Sequence, residues 1–389
     1  MNREFRPPAD AAERRALMEI LSEAFSAPAD RLDERVPILG EENLRVLTGP
    51  GGLAGGLWLI PMGQWYGGRS VPMTGVAAVG IAASHRGYGA AHELMARTVN
   101  DLHDRGVALS ALYPATRTLY RKSGYEHAGS RCTITVRARD IGVRERGLRI
   151  GSLTDGDRDA VAEVYRAMAP NLDGALDRHA YNWDRVFRFR DDEARGYGAW
   201  NGDRLEGYVY ILHKPREGGY DLMLTDLAFS TPSGARRLLS LLADHSSMVD
   251  TIKWSGGPQD PILHFLPEQR YEVSLALYWM VRVTHVTAAL GARGYSPGAH
   301  TELHLEISDD VVTGNNGRFV LRVENGTGHA EPGGDGDLRI DVRALAALYT
   351  GFLSARELRL TGFLEGTEDA VRRAEAVFTG GAPGMRDMF

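Results

Sequence analysis

The strongest constraint on this chain lies between Val76 and Tyr125, where four segments follow one another in order. Val76-Ala77-Ala78-Val79-Gly80-Ile81-Ala82 is a short apolar run bounded by the hairpin-like Tyr66-Gly67-Gly68-Arg69 and by Ser84-His85, which predicts a buried central strand. Arg86-Gly87-Tyr88-Gly89-Ala90-Ala91 then makes a turn whose small residues let a ligand approach the backbone. A helix follows from about Gly89 to Arg105, with Ala91, Leu94, Met95, Val99 and Leu102 on one face and Gly106 after the last turn. Leu119-Tyr120-Arg121-Lys122-Ser123-Gly124-Tyr125 closes the series. Unpaired N–H groups and the positive dipole end at the helix start favour an anion, and Arg86 can bond phosphate oxygens. The pattern calls for a diphosphate at the turn.

Two other readings of the same residues fail. A dinucleotide-binding Gly-x-Gly-x-x-Gly is incomplete, because His92 occupies the third glycine position. A zinc-protease His-Glu-x-x-His starting at His92 has Ala96 where the second histidine belongs, and no metal site is expected. An ordinary glycine-containing turn with no ligand stays open for the isolated string.

Taken together, Val79-Gly80-Ile81, Arg86-x-x-Gly89-x-Ala91 and Leu119 to Glu126 resemble the acetyl-coenzyme-A site of the GNAT N-acetyltransferase superfamily. Tyr66 to Val76, Trp279-Met280-Val281-Arg282-Val283 and Ala288-Ala289-Leu290 are similar to the enhanced intracellular survival (Eis) acetyltransferases within it, and the resemblance runs to Phe389. It implies an α/β (α+β) chain of tandem GNAT domains, the second degenerate, followed by a sterol-carrier-protein-like domain, with acetyl coenzyme A held by Val79, Gly80, Ile81, Arg86, Gly87, Tyr88, Gly89, Ala90 and Ala91. It further implies Tyr120 as general acid, the terminal carboxylate of Phe389 as base, and a homo-oligomer, a hexamer. The chain departs from the family at Ala83, where proline is frequent, and at Tyr113, where some members carry histidine; the latter bears on substrate preference.

Length and composition frame this reading. At about 150 residues per domain, 389 residues hold two or three, and 43% hydrophobic with 25% charged residues is the balance of a soluble globular chain. No window approaches the ~20 apolar residues of a membrane span, and the first residues lack a basic region followed by an apolar one, so a cytoplasmic protein with no membrane partner is expected. Cys132 is the only cysteine and falls in a strand-like context, which predicts an inert packed thiol and no intrachain disulfide. A net charge of −6 argues against nucleic acid and is compatible with cationic substrates.

The chain divides into three expected units: 1–140 catalytic, 141–285 a degenerate repeat, and 286–389. Leu148 to Leu153 followed by Thr154 to Met168 repeats the strand-then-helix opening of Arg3 to Phe25, with Thr154 placed to cap before Asp155 and Asp157. Met223 to Phe229, then Ser230 to Arg236, takes the place of the coenzyme strand and turn but lacks paired glycines, so the second copy keeps a fold without a diphosphate site. Leu303–Ile307, Arg318–Val323 and Leu338–Val342 read as strands, Arg343–Leu353 and Glu368–Phe378 as helices, in a domain expected to pack and oligomerise rather than bind lipid.

Acetyl transfer to an amine needs a neutral amine, a polarised carbonyl and a proton for the thiolate. Full transfer from a tyrosine to a thiolate is uphill by about 1.5 pKa units, or ~2 kcal/mol, within reach of a positioned hydroxyl. Tyr120 has Tyr113 and Tyr125 as competitors, Tyr125 reading as packing; His85 reads as a capping or packing residue. An α-carboxylate, with a reference pKa of ~3.3–3.7, needs desolvation, a water relay or electrostatic positioning of the amine to act on an ammonium near 10.4. Gly380 to Gly384 reads as a flexible approach for Phe389, while Glu19, Glu23, Asp30 and Asp33 either line an amine pocket or form a solvated face. Two functions remain: N-acetylation of a multi-amine, aminoglycoside-like molecule or of lysine in a peptide, and a catalytically weak acyl-coenzyme-A-binding scaffold whose last domain holds an apolar ligand.

Overall fold

The structure, a computed structural model, describes residues 3–49, 51–189 and 192–389. Twelve strands build its main sheet: β1 (Glu4–Arg6), β2 (Leu44–Gly49), β3 (Gly52–Tyr66), β4 (Arg69–Ile81), β5 (Leu109–Leu112), β6 (Glu126–Arg137), β7 (Arg149–Ser152), β8 (Arg195–Asn201), β9 (Arg204–Arg216), β10 (Gly219–Phe229), β11 (Val249–Gly256) and β12 (Tyr271–Val283). With Leu176–Asp177 joined to β3 they form one sheet of 13 strands, ordered β1-β2-β3-β4-β5-β12-β6-β11-β10-β9-β8-β7.

The sheet does not stop between the repeats. β12, from the second, lies between β5 and β6 of the first, pairing Val281 with Ala111 on one side and Trp279 with Gly129 on the other. In turn β6 pairs Ile134 with Trp254 of β11. Trp279 and Val281 are fully buried by this insertion, which places apolar side chains of one repeat in the core of the other.

Helices cover the sheet. In α1 (Ala11–Phe25) the Asp10 carboxylate accepts from the Glu13 amide, and Leu17, Met18 and Leu21 face inward. In α2 (Ala90–Asp104) Leu94, Met95, Val99 and Leu102 are buried, as their spacing predicts. Next come α3 (Arg117–Lys122), α4 (Arg158–Met168), opened by a Thr154–Asp157 capping box, α5 (Ala180–Phe187) and α6 (Pro232–Asp244). Cys132 lies buried on β6, unpaired.

The last part adds α7 (Val286–Ala292) and a sheet of β13 (Thr301–Ser308), β14 (Gly317–Glu324), β15 (Thr327–Pro332), β16 (Leu338–Asp341) and β17 (Leu364–Gly366), ordered β15-β14-β13-β16-β17. Against it lie α8 (Val342–Thr350), α9 (Ala355–Leu360) and α10 (Glu368–Phe378). Its core is continuous with that of the first repeat: Leu345 and Leu348 share a cluster with Trp279 and Ala128. Arg282 of β12 and Asp309, both without exposed side-chain surface, form an ion pair across the junction. Among the described residues no helix is long and apolar enough to cross a membrane.

Candidate active site

β4 and β5 run parallel but pair only from Met73–Leu109 to Gly75–Ala111; beyond Gly75, β4 pairs with β3 alone. A cleft opens where the two strands part, and backbone groups of Val76 to Ile81 face it without a strand partner on that side. The pairing of β3 with β4 also slips between Gly56 and Trp58, and Ala78 sits in the left-handed region at φ +51°. This bulge was not legible, since alanine carries no preference for that conformation.

At the end of β4 the turn has the expected form. Gly87 and Gly89 adopt φ of +80° and +79°, and a Cβ at either would meet nothing within 4 Å, so the backbone is both left-handed and open. Gly89 caps α2, and no side chain makes a capping hydrogen bond there. Tyr88 is 75% exposed and Ala90 is buried. The Arg86 guanidinium donates from Nε to the Ile81 carbonyl at 3.0 Å and from Nη2 to Glu23 at 3.2 Å, and is half exposed. Free amides, two glycines without obstruction and a half-exposed cation fit a coenzyme diphosphate. His85 bonds Ser84 beside the turn at 3.0 Å.

Tyr120 lies on α3, 6% exposed, its ring edge-on to Tyr125 at 6.2 Å. Its hydroxyl has no hydrogen-bond partner among the described residues, and burial raises its pKa above the ordinary value. Tyr125, by contrast, is fully buried and bonded to Ser110 at 2.8 Å, the packing role expected for it. Tyr113 is otherwise engaged: its hydroxyl donates to the backbone carbonyl of Asp387, with Met385 Sδ 2.8 Å away.

The end of the chain reaches this cleft. The Phe389 ring stands 5.2 Å from that of Tyr113, and a Cβ on Gly75 would fall 2.7 Å from Phe389 Cε2. Gly380 to Ala382 are exposed, as expected of a flexible approach, but from Pro383 onward the approach is held. Pro383 and Met385 are buried; the Ser130 amide donates to the Pro383 carbonyl at 3.0 Å, the Gly384 amide to Asp173 at 2.9 Å and the Met385 amide to Ser130 at 3.3 Å. Arg386 bonds Asp260 at 2.7 Å and donates to the Leu227 carbonyl. Glycine here serves close passage, since Gly384 touches Gly257 too tightly for a side chain.

The deepest anchor is Arg178, which sequence reading missed. Its guanidinium sits 2.6 Å from Asp226 of β10 and 2.8 Å from Asp387, with Tyr165 and Trp183 rings against its face at 3.7 and 4.7 Å. One cation thus serves two carboxylates. Burial alone would raise Asp226, but the Arg178 charge and hydrogen bonds from Arg178 and Tyr208 outweigh it and hold this carboxyl below the usual range. Asp387 goes the other way: burial pushes it up, and Asp226 adds to that against the pull of Arg178.

Glu19, Glu23, Asp30 and Asp33 are not in the wall of the cavity beside α1. Glu23 faces Arg86 and Asp33 faces Arg14 at 3.0 Å; the cavity beside α1, about 540 Å³, is walled instead by Arg31, Glu34, Arg35, Asp184, Arg185 and Arg188 among others, without Glu19 or Asp30. Among the described residues no group of three or more His, Cys, Asp or Glu is arranged to hold a metal.

This cleft, turn and buried tyrosine define an acetyltransferase of the GNAT class, and residues 5–128 and 174–283 each match the Acetyltransferase (GNAT) domain family, with 286–386 matching the Sterol carrier protein domain family. A GCN5-related N-acetyltransferase from Anabaena variabilis shares 35% identity over 100% of both chains at a TM-score of 0.95. N-acetyltransferase Eis of Mycobacterium tuberculosis is 28% identical over 375 residues, 90% of this chain and 89% of that one. Eis1 from Mycobacterium abscessus, at 22% identity, covers 99% of this chain and 100% of its own with a TM-score of 0.82, a likeness of fold. The chain belongs to the Eis family of GNAT N-acetyltransferases.

Proposed function

We propose that this enzyme moves the acetyl group of acetyl coenzyme A to a primary amine of a small molecule or a lysine side chain, with Tyr120 as general acid and the Phe389 carboxylate as base. The observation that carries the reading is the position of Phe389, seated against Gly75 where β4 and β5 part. Residues 1–140 act as the catalytic unit, in which Val79 to Ile81 and Arg86 to Ala91 hold the coenzyme; 141–285 hold the tail, and 286–389 brace both within a cytoplasmic homo-oligomer.

When bound, acetyl coenzyme A supplies an acetyl thioester. The chain supplies the rest. Amides of the widened part of β4 offer donors to the carbonyl oxygen. Tyr120 keeps a proton at its hydroxyl; because burial raises its pKa, it acts mainly by hydrogen bonding to developing negative charge, with the proton following late. The Phe389 carboxylate orients the amine and draws off its proton, an action that the enclosed site strengthens.

Thiol release with a panel of primary amines tests the activity, and chain-end variants test the base. A residue added beyond Phe389 is expected to lower turnover at least ~10-fold, towards the 10²–10⁴ of a lost general base. Coenzyme binding and melting should hold, because Gly384 to Asp387 remain anchored upstream. Amidating the terminus separates charge from ring. Native turnover in an extended, folded enzyme assigns the base elsewhere, and tight coenzyme binding with no amine turned over points to a non-catalytic acyl carrier.

A further inference from the structure

The parting of two parallel strands recurs in the second repeat. β10 and β11 pair from Tyr220–Val249 to Met223–Lys253 and no further, as β4 and β5 pair only as far as Gly75–Ala111 in the first. Where β10 and β11 separate, a cavity of about 390 Å³ opens between β6, α5, these two strands and the last residues of the chain. Its wall includes neither Phe389 nor any residue of the β4–β5 cleft. With Arg386 bonded to the Leu227 carbonyl and Asp387 to Arg178, the tail borders this space and leaves it open. The volume suits a small molecule.

The wall is cationic, against a net charge of −6 for the whole chain. Arg131, Arg185, Lys214, Lys253 and Arg386 line it. Two of these are engaged: Lys214 pairs with Asp192 at 2.5 Å and Arg386 with Asp260 at 2.7 Å. The two carboxylates of the wall are taken as well, Asp221 by Arg216 at 3.5 Å and Asp387 by Arg178 at 2.8 Å. Arg131 of β6, Arg185 of α5 and Lys253 of β11 have no carboxylate within ion-pair distance among the described residues. Arg131 makes a long contact to the Arg386 carbonyl at 3.5 Å, and Arg185 stands 6.0 Å from the Tyr181 ring. Three like charges around one space repel each other, and an anion between them relieves that repulsion.

An observation independent of charge points the same way. Asn182, in the same wall, is 1% exposed. Its Oδ1 accepts from the His179 amide at 3.0 Å, so the atom left over is the Nδ2 donor, which has no hydrogen-bond partner among the described residues. A buried donor without an acceptor is costly, and such groups mark places where something else supplies one.

We propose that the second repeat binds a small molecule bearing a carboxylate or phosphate in this cavity, with Arg131, Arg185, Lys253 and Asn182 as its donors. An oxyanion accepts from all four, and three of the bonds are charge-assisted. The site is separate from acetyl transfer and does not rest on it. Because Ser233-Gly234-Ala235 lacks the paired glycines of the first turn, this repeat presents no acetyl thioester, and its ligand is bound without being consumed.

Calorimetry on the full chain, saturated with coenzyme A so that the Arg86 turn is filled, tests this with inorganic phosphate and glutarate as probes. At least one should bind at one site per chain, and which of them does tells phosphate from carboxylate. Arg185→Ala and Lys253→Ala should each weaken that binding ~10-fold or more, as expected for a lost charge-assisted bond. Arg339→Ala, which removes the same charge from β16 of the last domain, should leave it unaltered. Melting curves check folding; should Arg185→Ala fail to fold, Lys253→Ala, at an exposed position, decides alone. No binding of either probe at up to ~10 mM, binding that either folded variant leaves intact, or equal weakening by Arg339→Ala overturns the proposal. None of these outcomes depends on whether an amine is turned over.

Discussion

In the first repeat, the helix after the central strand is capped by Gly89, with two left-handed glycines and no side-chain capping hydrogen bond. In the second, the corresponding helix α6 begins beneath Thr231, whose hydroxyl accepts from the Gly234 amide at 3.0 Å and donates to Glu206 at 2.7 Å. A Cβ on Gly234 would fall 2.3 Å from the Glu206 carbonyl oxygen, so the helix is pressed onto β9. The Glu206 carboxyl lies below its usual range because Thr231, then Asn201, hydrogen bond to it. The chain has placed a carboxylate of its own at the end where the first repeat offers room for a diphosphate. Past Met223, where β10 and β11 also part, the space is taken by the tail: Arg386 bonds the Leu227 carbonyl and Asp387 shares Arg178 with Asp226. In the proposed reading, the cleft that holds coenzyme in one copy is matched in the other by a cleft that holds the end of the same chain, and that end serves the first.

Three experiments bear on this contrast. The largest effect is expected from Tyr120→Phe, which should lower kcat by ~10²–10⁴ while affinity for the coenzyme stays nearly constant. The pH profile sharpens it: an acid must be protonated to act, and a raised pKa keeps the Tyr120 hydroxyl neutral to higher pH, so the alkaline limb of kcat should lie above the ~10 of a free tyrosine. A limb well below that, in the native enzyme, gives the role to another group.

Next come substitutions at equivalent turns. Gly89→Val, at φ +79°, should raise the KM for acetyl coenzyme A about tenfold or more through backbone strain and blocked approach, and Arg86→Ala several-fold. Ser233→Val should leave it unchanged, with calorimetry giving one coenzyme per chain. Two sites per chain, or a Ser233 variant with weakened binding, would break the contrast.

The smallest effect is thermodynamic. Thr231→Ala removes the cap of α6 and should cost about 1 kcal/mol of stability, seen as a lower melting temperature, with kinetic constants for the coenzyme unaltered. A change in coenzyme affinity would mean that the second turn does bind.

What the sequence made legible was local. The strand, turn and helix from Val76 to Arg105 rest on periodicity and two glycines within thirty residues of one another, and the helix at Glu368–Phe378 has the bounds its pattern predicts. Thr154 and the missing glycine pair near Ser233 were equally readable. The anchoring of the tail from Pro383 was not legible, because its glycines signal flexibility in isolation, whereas Asp173, Ser130 and Arg178 fix it from more than 200 positions away. Arg178, Asp226 and Asp387 sit on separate elements, so their convergence carries no sequence signature.

The insertion of β12 between β5 and β6 also fixes what can be cut from this protein. A fragment ending before β12 would leave both of those strands with bare hydrogen-bonding rims, and Ala111, Leu112 and Ala128 without the residues that cover them. Such unprotected rims recruit other chains. The catalytic repeat is therefore not a detachable module: expressed alone it should associate or aggregate, and an engineer seeking a smaller acetyltransferase must supply a replacement strand before removing the second repeat.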